Sequence, residues 1–485
     1  MNGAQPRLNR TGTVPPQPGA NGRGAKIDRA TRHHQAGHPE EVQRLLQLAG
    51  VLWTQGKADQ AVAHLERVLA LKPDHAEAHN NLGLALMTQG KLEQAIAHSR
   101  RALALKPDFA EAHNNLGNAL AAQDETDQAI VHYERALAIN PDYVTPHYNL
   151  GKVFTVRGEM NRAIFHYQCA LALKPDYINA HSNLLYAFNY VSDTDPLTVY
   201  NAHRDFAKRW EAPLAALNQS PVHDHSRERR IRIGYVSSDF RQHSVAHFIA
   251  PVLERHDRER FEVFCYCNNP EDEVTAQLKM RAEHWRRIIH LSDEQAANQI
   301  RADRIDILID LNGHTGNSRL LVFARRPAPV QVTWLGYPNT TGLSAMDYRL
   351  VDGFTDPVGM TEHLHSEQLV RLPECFSCYQ PPADAPEVSA LPAREKGYIT
   401  FGSFNSLAKI TPEVMATWTK LLQAVPGSRL VLKNFGLGSK DIQQMVQEAL
   451  VKSGVPPERL DLLGPDPSPK THLARYRDID IGLDP

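Results

Sequence analysis

A period of 34 residues near the start of the chain constrains its fold more than any other feature of the sequence. A proline followed by aspartate closes each of four successive copies, at Pro73, Pro107, Pro141 and Pro175. Self-similarity at such a period is typical of helical solenoids, in which each copy is a helix pair that buries its apolar face only against its neighbours. The sequence therefore predicts a superhelix of stacked helix pairs.

The same register recovers the other positions that a helix pair needs. Small residues recur where two helices would cross closely, at Ala61, Ala95, Ala129 and Ala163. The expected turn between the helices carries a residue that tolerates a left-handed backbone, at Gly56, Gly90, Asp124 and Gly158. Copies with this pattern resemble tetratricopeptide repeats, spanning 41–74, 75–108, 109–142 and 143–176, with a partial fifth copy to residue 190.

An amide side chain also recurs at the repeat period, one position before a leucine that we predict to be buried. The amides are Asn81, Asn115, Asn149 and Asn183, with Gln47 before Leu48 in the first copy. An amide donates and accepts hydrogen bonds at once, so a row of amides could hold the backbone of an extended acceptor polypeptide. The alternative is that these asparagines only tie neighbouring helices together.

Neither the histidines nor the cysteines predict a metal site. Two histidine series follow the repeat, one at His79, His113, His147 and His181 and the other at His64, His98, His132 and His166. Members of one series lie a whole repeat apart, too far to share an ion. Cys265 and Cys267 could in principle join Cys375 and Cys378 in a four-thiolate zinc site, but the first pair lies in an alternating strand and neither pair has a knuckle glycine.

Composition limits the class of partner and the compartment. A net charge of −2 gives no electrostatic reason to expect a nucleic acid or an anionic membrane as partner. No apolar run approaches the ~18 residues needed to span a bilayer. Residues 1–38 are polar and rich in glycine and proline, which predicts a disordered tail rather than a signal peptide. Five cysteines, an odd number, favour a reducing compartment, so we expect a cytoplasmic protein.

After residue 228 the pattern changes from helical periodicity to short apolar strands that alternate with helices. Strands are predicted at 231–240, 261–267, 285–291, 306–313, 330–338 and 346–353, and a second such series covers 397–406, 428–434, 459–464 and the end of the chain. The alternation predicts two doubly wound α/β lobes, 229–395 and 396–485, after a helical linker at 191–228. Because ligands bind at the carboxyl ends of parallel strands, we expect a site in the cleft between the lobes.

The segments at these strand ends resemble a known family. They include IRIGYVSSDFRQHSVAHF (231–248), DLNGHTG (310–316), RRPAPVQVTWLGYPNTTG (325–342) and TFGSFNSLAKITP (400–412). Together with the repeats, they resemble the protein O-GlcNAc transferase family, including its SPINDLY-like branch. The resemblance implies a repeat superhelix followed by two Rossmann-like lobes of the GT-B kind. It also implies an inverting, metal-independent transfer of a sugar from a nucleotide diphosphate sugar to a Ser or Thr hydroxyl of a protein.

The resemblance also implies roles for individual residues. His243 corresponds to a histidine that acts as the catalytic base or orients the acceptor or the sugar, whereas the nearby His247 is expected to be structural. Lys409 corresponds to a lysine at the donor diphosphate, where it can take the charge that develops without a metal ion, so no metal cofactor is expected. His314 and Thr315 correspond to positions near the sugar and acceptor. The implied nucleotide-sugar contacts are Asn405, Ser406, Lys409, Lys470, His472 and Arg475.

The donor and the completeness of the chain stay open at this point. The family as a whole favours UDP-GlcNAc, whereas His314, Ser406 and Ala408 resemble the SPINDLY-like branch, which uses GDP-fucose. The chain stops at IGLDP, before a Gly- and Thr-rich turn with which the family continues. We therefore expect an incomplete second lobe and a fragment of a longer protein; the alternative is a naturally truncated, inactive repeat scaffold for protein interactions.

Overall fold

The structure, a computed structural model, describes residues 39–215, 226, 228–382 and 384–485. The tail predicted at 1–38 and part of the predicted linker, 216–225 and 227, lie outside these residues. Within them, helices come first and two parallel sheets follow. Across the described ranges, no helix has the length and apolar character needed to cross a membrane.

The superhelix consists of consecutive helices that pack against each other in sequence order. They are α1 Pro39–Thr54, α2 Ala58–Leu71, α3 Ala76–Thr88, α4 Leu92–Leu105, α5 Ala110–Ala122, α6 Thr126–Ile139, α7 Val144–Arg157, α8 Met160–Leu173 and α9 Ile178–Phe188. Two further helices follow, α10 Pro196–Trp210 and α11 Ala212–Ala215. The predicted solenoid of helix pairs is confirmed.

The repeat register places small and turn residues as expected. The alanines at the predicted helix crossings, Ala61, Ala95, Ala129 and Ala163, are at most 1% exposed. The turn residues have left-handed φ values, 73° at Gly56, 74° at Gly90, 63° at Asp124 and 78° at Gly158. Leu48 is the exception to the predicted core, because it is 39% exposed on α1, where no preceding helix of the described residues covers it.

The first α/β lobe contains a parallel sheet with the strand order β3-β2-β1-β4-β5-β6-β7. Its strands are β1 Ile231–Ser237, β2 Phe261–Cys267, β3 His284–Arg287, β4 Ile307–Asp310, β5 Val330–Thr333, β6 Tyr348–Asp352 and β7 Gln368–Leu372. Its helices are α12 Ser244–Arg255, α13 Glu273–Lys279, α14 Asp293–Ala302 and α15 Leu320–Ala324. The order reverses between β1 and β4, which is the switch point of a doubly wound sheet. Strand β7 was not predicted.

The second lobe repeats this design with the strand order β10-β9-β8-β11. Its elements are α16 Ala393–Lys396, β8 Thr400–Ser403, α17 Pro412–Ala424, β9 Arg429–Lys433, α18 Lys440–Lys452, β10 Leu460–Leu463, α19 Pro469–Ala474 and β11 Ile481–Gly482. Short 3₁₀ helices follow two of the strands, at Leu407–Lys409 and Gly436–Gly438. The predicted repeat superhelix with a parallel α/β region behind it is therefore confirmed.

Buried polar contacts join the last repeats to the first lobe. The Tyr337 hydroxyl lies 2.8 Å from Nε2 of His203 on α10 and accepts a hydrogen bond from Nδ2 of Asn189 at 2.9 Å. Phe206 of α10 is fully buried in one apolar cluster with Leu185 of α9 and residues of the first sheet. The superhelix and the first lobe thus share a continuous core.

Candidate functional site

A cleft of about 770 Å³ lies between the two lobes. One wall is formed by the turn after β1 and the start of α12, together with the loop after β7. The other wall is formed by the segments that follow β8, β9 and β10, with α19. The cleft therefore lies at the carboxyl ends of the strands, where parallel sheets bind ligands.

His243 lines the cleft and caps helix α12. Its Nδ1 atom accepts a hydrogen bond from the backbone N–H of Val245 at 3.3 Å, as an N-cap side chain does. Burial lowers the pKa of the imidazole, although Asp239 acts in the opposite direction. A neutral ring that accepts at Nδ1 must carry its proton on Nε2. This arrangement offers a hydrogen-bond donor more readily than a base.

A buried carboxylate lies beneath His243. Oδ2 of Asp239 is 3.8 Å from Nδ1 of His243 and accepts a hydrogen bond from Nδ2 of Asn312 at 2.7 Å. Oδ1 of Asn312 in turn accepts from the backbone N–H of Ser238 at 2.8 Å. This network ties the end of β1 to the end of β4. Asp239 and Asn312 were not predicted as site residues, although each lies two positions after the end of its strand.

Lys409 lies in the short 3₁₀ helix after β8, beside the cleft but not among the residues that line it. It is exposed, and its Nζ donates to Oδ1 of Asn405 at 3.2 Å. Asn405 lines the cleft and also donates from Nδ2 to Asp484 at 3.1 Å. Ser406 is exposed at the start of the same turn. The structure thus brings three of the predicted donor contacts together on one turn.

A second cation, which sequence analysis missed, lies deeper in the cleft. Nζ of Lys433 is 2.8 Å from Nδ1 of His472 and 3.4 Å from Oδ2 of Asp466. Burial and the charge of Lys433 lower the pKa of His472. Burial alone would raise the pKa of Asp466, but hydrogen bonds from Arg475 and the charge of Lys433 lower it. Lys433 is the last residue of β9, and Asp466 follows β10. Because ligands bind at the carboxyl ends of parallel strands, both residues could have been predicted from their positions.

Aromatic rings surround this buried group. The ring centroid of Phe404 lies 4.7 Å from that of Tyr476 and 5.5 Å from that of His472, and Nζ of Lys433 is 5.7 Å from the Phe404 centroid. Aromatic side chains in such an arrangement offer faces and edges to a flat heterocycle. Of the predicted nucleotide contacts, His472 belongs to this part of the cleft, and Arg475 reaches it only through Asp466, with Nε and Nη2 both 3.2 Å from Oδ1.

Other predicted site residues lie elsewhere. His314 is fully buried, with Nε2 2.8 Å from the carbonyl oxygen of Thr341 and Nδ1 3.4 Å from the hydroxyl of Ser182 on α9. Burial holds its pKa well below the usual range. Thr315 donates to the carbonyl oxygen of Asn312 at 3.0 Å. The turn after β4 therefore points His314 toward the last repeat rather than into the cleft.

Lys470, which the resemblance placed near the nucleotide, is exposed outside this cleft. Its Nζ lies 3.9 Å from Oδ2 of Asp384. The pair joins the start of α19 to the chain between the lobes. In this structure Lys470 thus contacts an acidic side chain and not the cleft walls.

The repeat asparagines contact each other across repeats. Nδ2 of Asn115 donates to Oδ1 of Asn80 at 2.9 Å, and Nδ2 of Asn149 donates to Oδ1 of Asn114 at 3.0 Å. Both donors are buried, whereas Asn81 is exposed. Asn183 lies 3.5 Å from the Tyr148 hydroxyl. The geometry at Asn115 and Asn149 favours the alternative in which these amides tie helices together.

The two histidine series meet inside repeats two, three and four. Nδ1 to Nδ1 distances are 2.9 Å for His79 and His98, 2.9 Å for His113 and His132, and 3.0 Å for His147 and His166. Spacing within one series did not reveal this pairing, because the partners lie on different helices of one repeat. Cys265 and Cys267 are buried in β2, whereas Cys375 and Cys378 are exposed. Among the described residues, no group of three or more His, Cys, Asp or Glu could hold a metal ion.

Comparison with known proteins gives consistent matches over the repeats and the first lobe. A family model described as glycosyl transferase family 41 matches residues 214–380. Models described as tetratricopeptide repeat and TPR repeat match residues 46–108 and 117–155. A mutant of the Thermobaculum terrenum O-GlcNAc transferase has a solved structure with a TM-score of 0.77 and 39% identity, over 84% of this chain and 78% of that chain.

Curated relatives carry related names. The probable UDP-N-acetylglucosamine–peptide N-acetylglucosaminyltransferase SPINDLY of Petunia hybrida is 40% identical over 307 residues, which are 62% of this chain and 32% of that protein. The protein of the same name from Oryza sativa subsp. japonica is 41% identical over 62% of this chain and 33% of its own length. The SEC protein of Arabidopsis thaliana is 38% identical over 44% of this chain and 23% of its own length. The chain spans about a third, or less, of the curated relatives it matches.

Proposed function

The chain belongs to glycosyl transferase family 41, and from this we propose that it transfers a sugar from a nucleotide diphosphate sugar to Ser or Thr hydroxyls of proteins, with inversion. The observation that carries the proposal is the cleft between the two lobes. One wall presents the neutral imidazole of His243, and the other presents Asn405 with Lys409 behind it. In such a transfer the acceptor hydroxyl oxygen attacks the anomeric carbon of the sugar from the His243 side while the bond to the diphosphate breaks on the Lys409 side. The hydroxyl proton leaves to a diphosphate oxygen or to water.

We assign the donor to the second-lobe wall. The aromatic group of Phe404, His472 and Tyr476 has the flat faces that a nucleobase requires, and Lys433 adds a buried cation beside it. Lys409 contacts Asn405, which lines the cleft, and its exposed ammonium group would stabilise the charge that develops on a diphosphate bound there. We expect UDP-GlcNAc as donor, in line with the names of the relatives, and GDP-fucose is the alternative that His314, Ser406 and Ala408 favour.

We assign the acceptor hydroxyl to the first-lobe wall. His243 is neutral near pH 7 because burial lowers its pKa, and its proton is on Nε2. It therefore donates a hydrogen bond to an oxygen of the acceptor or the sugar. Asp239 and Asn312 hold the turn that carries it. His314 and Thr315 act from behind this wall as positioning residues.

We propose that the superhelix binds the acceptor polypeptide. We also propose that the protein acts in the cytoplasm. An extended polypeptide would contact the side chains of repeats one to five before it reaches the cleft. Our candidates for contacts with the backbone of the polypeptide remain Asn81, Asn115, Asn149 and Asn183. The amides that already form hydrogen bonds across repeats would use their remaining donor and acceptor positions.

The proposal is tested by a donor screen on the full-length gene product, with UDP-GlcNAc and GDP-fucose and a protein acceptor. We expect Lys409→Ala to lower transfer by roughly 10²-fold, as loss of one electrostatic stabiliser does. Lys420→Ala, an exposed lysine on α17 of the same lobe, is the matched control and should leave transfer unchanged. Transfer from neither donor would favour the inactive scaffold, and transfer only from GDP-fucose would change the donor alone.

A further inference from the structure

The superhelix contacts the second lobe as well as the first. We propose that repeat four, through the end of α7 and the turn before α8 (residues 156–159), positions the donor-binding segment 405–410, here called the Lys409 turn. The inference rests on the proposed function, because it concerns the donor site of that reaction. It makes Gly158 a positioning residue, since it acts through the Lys409 turn and not on the substrate.

Gly158 lies directly against the backbone of the Lys409 turn. A Cβ atom at this position would be 2.9 Å from the carbonyl oxygen of Leu407 and 3.0 Å from its carbonyl carbon. Real Cβ atoms essentially never come this close, so one of the two backbones would have to move. Ala408 is 4% exposed and packs in the apolar cluster of the repeat helices. The Lys409 turn thus contributes Ala408 to the core of the superhelix, while Leu407 and Ile410 belong to the core of the second lobe.

A second contact reaches the neighbouring wall of the cleft. Asn434 and Phe435 line the cleft, and a Cβ atom on the next residue, Gly436, would lie 3.1 Å from the carbonyl oxygen of Val156. Nδ2 of Asn434 also donates to the carbonyl oxygen of Asn405 at 3.1 Å. The turns after β8 and β9 are therefore joined to each other and to the same turn of repeat four.

Helix α18 adds a third contact. Oδ2 of Asp441 accepts a hydrogen bond from the backbone N–H of Asp127 on α6 at 3.3 Å. Nη2 of Arg157 lies 3.4 Å from Sδ of Met445, while the guanidinium pairs with Glu159 and Asp127. Because the first lobe is bonded to α9 and α10, the superhelix connects both walls of the cleft. The position of Lys409 relative to His243 then depends on the superhelix.

The repeats themselves provide the control for this contact. Gly90 occupies the same turn position in repeat two with φ 74°, against 78° for Gly158. A Cβ atom at Gly90 would meet no atom of the described residues within 4 Å. Asn tolerates left-handed backbone, and Asp124 takes this position in repeat three. Gly158→Asn and Gly90→Asn therefore place the same side chain on the same backbone, with and without a neighbouring lobe.

The experiment measures UDP binding by calorimetry in both variants. It also measures kcat and KM for UDP-GlcNAc with a short acceptor peptide. If the donor screen shows that the enzyme uses GDP-fucose, GDP replaces UDP and GDP-fucose replaces UDP-GlcNAc. We expect Gly158→Asn to weaken nucleotide binding and raise the donor KM by about tenfold, because small misplacements at a site have large effects. Gly90→Asn should match the wild type. Melting temperatures show that both variants are folded at the assay temperature, and Gly158→Asn should be the less stable of the two because its Cβ atom is overpacked.

Equal nucleotide binding by the two variants would overturn the inference, and if Lys409→Ala still lost transfer the proposed function would stand. Unchanged nucleotide binding and transfer in Lys409→Ala would instead refute the donor assignment itself. If Gly158→Asn fails to fold, Gly158→Ala and Gly90→Ala are compared by hydrogen exchange of residues 405–410. Faster exchange only in Gly158→Ala supports the inference, and equal exchange overturns it.

Discussion

The capping role of His243 determines which of its two ring nitrogens carries the proton. As the N-cap of α12, its Nδ1 accepts the backbone N–H of Val245. The nitrogen that remains is protonated in the neutral ring and cannot also accept a proton from a hydroxyl. Of the two roles that the family resemblance left open, we therefore propose orientation of the acceptor or sugar rather than general-base catalysis.

The first prediction follows from this tautomer. We expect His243→Ala to lower kcat/KM by about 10-fold to 10²-fold, because a hydrogen bond that orients the acceptor or the sugar is lost. The acid limb of the pH–rate profile should be the same in the variant and the wild type, because a donor that keeps Nε2–H does not need to lose its proton. The measurement is kcat/KM for a peptide acceptor between pH 5 and 8.

The matched control is His247→Ala, which removes an imidazole that lines the same cleft one turn further along α12. It should change kcat/KM little. An acid limb that is present in the wild type and lost in His243→Ala would show that the wild-type imidazole works as a base. In that case the larger loss of about 10²-fold to 10⁴-fold expected of general-base removal would apply.

At the scale of elements, the asparagines act as connections between repeats. Nδ2 of Asn149 on α7 donates both to Asn114 and to Asn118 of α5, at 3.0 Å and 2.8 Å. Asn118 also accepts from the Tyr133 hydroxyl at 2.8 Å. Side-chain hydrogen bonds thus join α3 to α5 and α5 to α7. The amides therefore hold neighbouring repeats together whether or not a polypeptide is bound.

The second prediction is a difference in stability between two members of this series. Asn149→Ala leaves the buried oxygen of Asn114 without its donor and removes one of the two donors to Asn118, which should lower the free energy of unfolding by roughly 1–3 kcal/mol. Asn81→Ala removes an exposed amide that only accepts from Asn80 at 3.3 Å, and it should change stability by less than about 0.5 kcal/mol. Thermal unfolding of both variants, followed by far-UV circular dichroism, provides the comparison.

Binding of long acceptors tests the other role of the same residues. If the exposed amide contacts the acceptor backbone, Asn81→Ala should raise the KM of a long protein acceptor and leave that of a short peptide unchanged. If Asn81→Ala has the same KM as the wild type for the long acceptor and for the short one, the repeat asparagines have a structural role only. Equal stability of Asn149→Ala and the wild type would contradict the connecting role.

At the scale of the whole molecule, period and alternation were sufficient to predict the architecture. The 34-residue register gave the helix pairs because each repeat buries the same positions, and apolar runs gave the strands of both sheets except β7. Lys409, Asn405 and His472 were predicted as donor contacts because residues at strand ends and in the following helix were compared with a family. His314 was placed near the sugar and acceptor for the same reason, although contact with α9 takes it inside the protein.

What the sequence could not provide was contact between distant parts of the chain. The pairing of Lys433 with His472 joins residues 39 positions apart, and the contact of Gly158 with Leu407 joins two domains. No local period or propensity records such distances. They depend on how the superhelix and the lobes pack.

Packing of the superhelix against the first lobe also places titratable rings in the interior. His203 is fully buried, with Nδ1 2.7 Å from the carbonyl oxygen of Val199 and Nε2 2.8 Å from the Tyr337 hydroxyl. The carbonyl requires a donor, so the neutral ring carries its proton on Nδ1 and accepts at Nε2. Burial lowers the pKa of His203 from 6.5 to about 4 and that of the nearby His181 to about 4.

The last prediction is that stability falls as the pH drops below 6.5, before most carboxylates titrate. The unfolded chain binds a proton at His203 near pH 6.5 but the folded chain only near pH 4, so the stabilisation is complete above 6.5 and is lost progressively toward 4. For this one ring the loss is on the order of 3 kcal/mol. Denaturant unfolding at several pH values between 4.5 and 8 measures it. His203→Gln should flatten part of this slope, whereas His363→Gln, at an exposed position, should leave it unchanged. An identical slope in His203→Gln and the wild type would mean that other groups govern the acid response of the junction between superhelix and lobe.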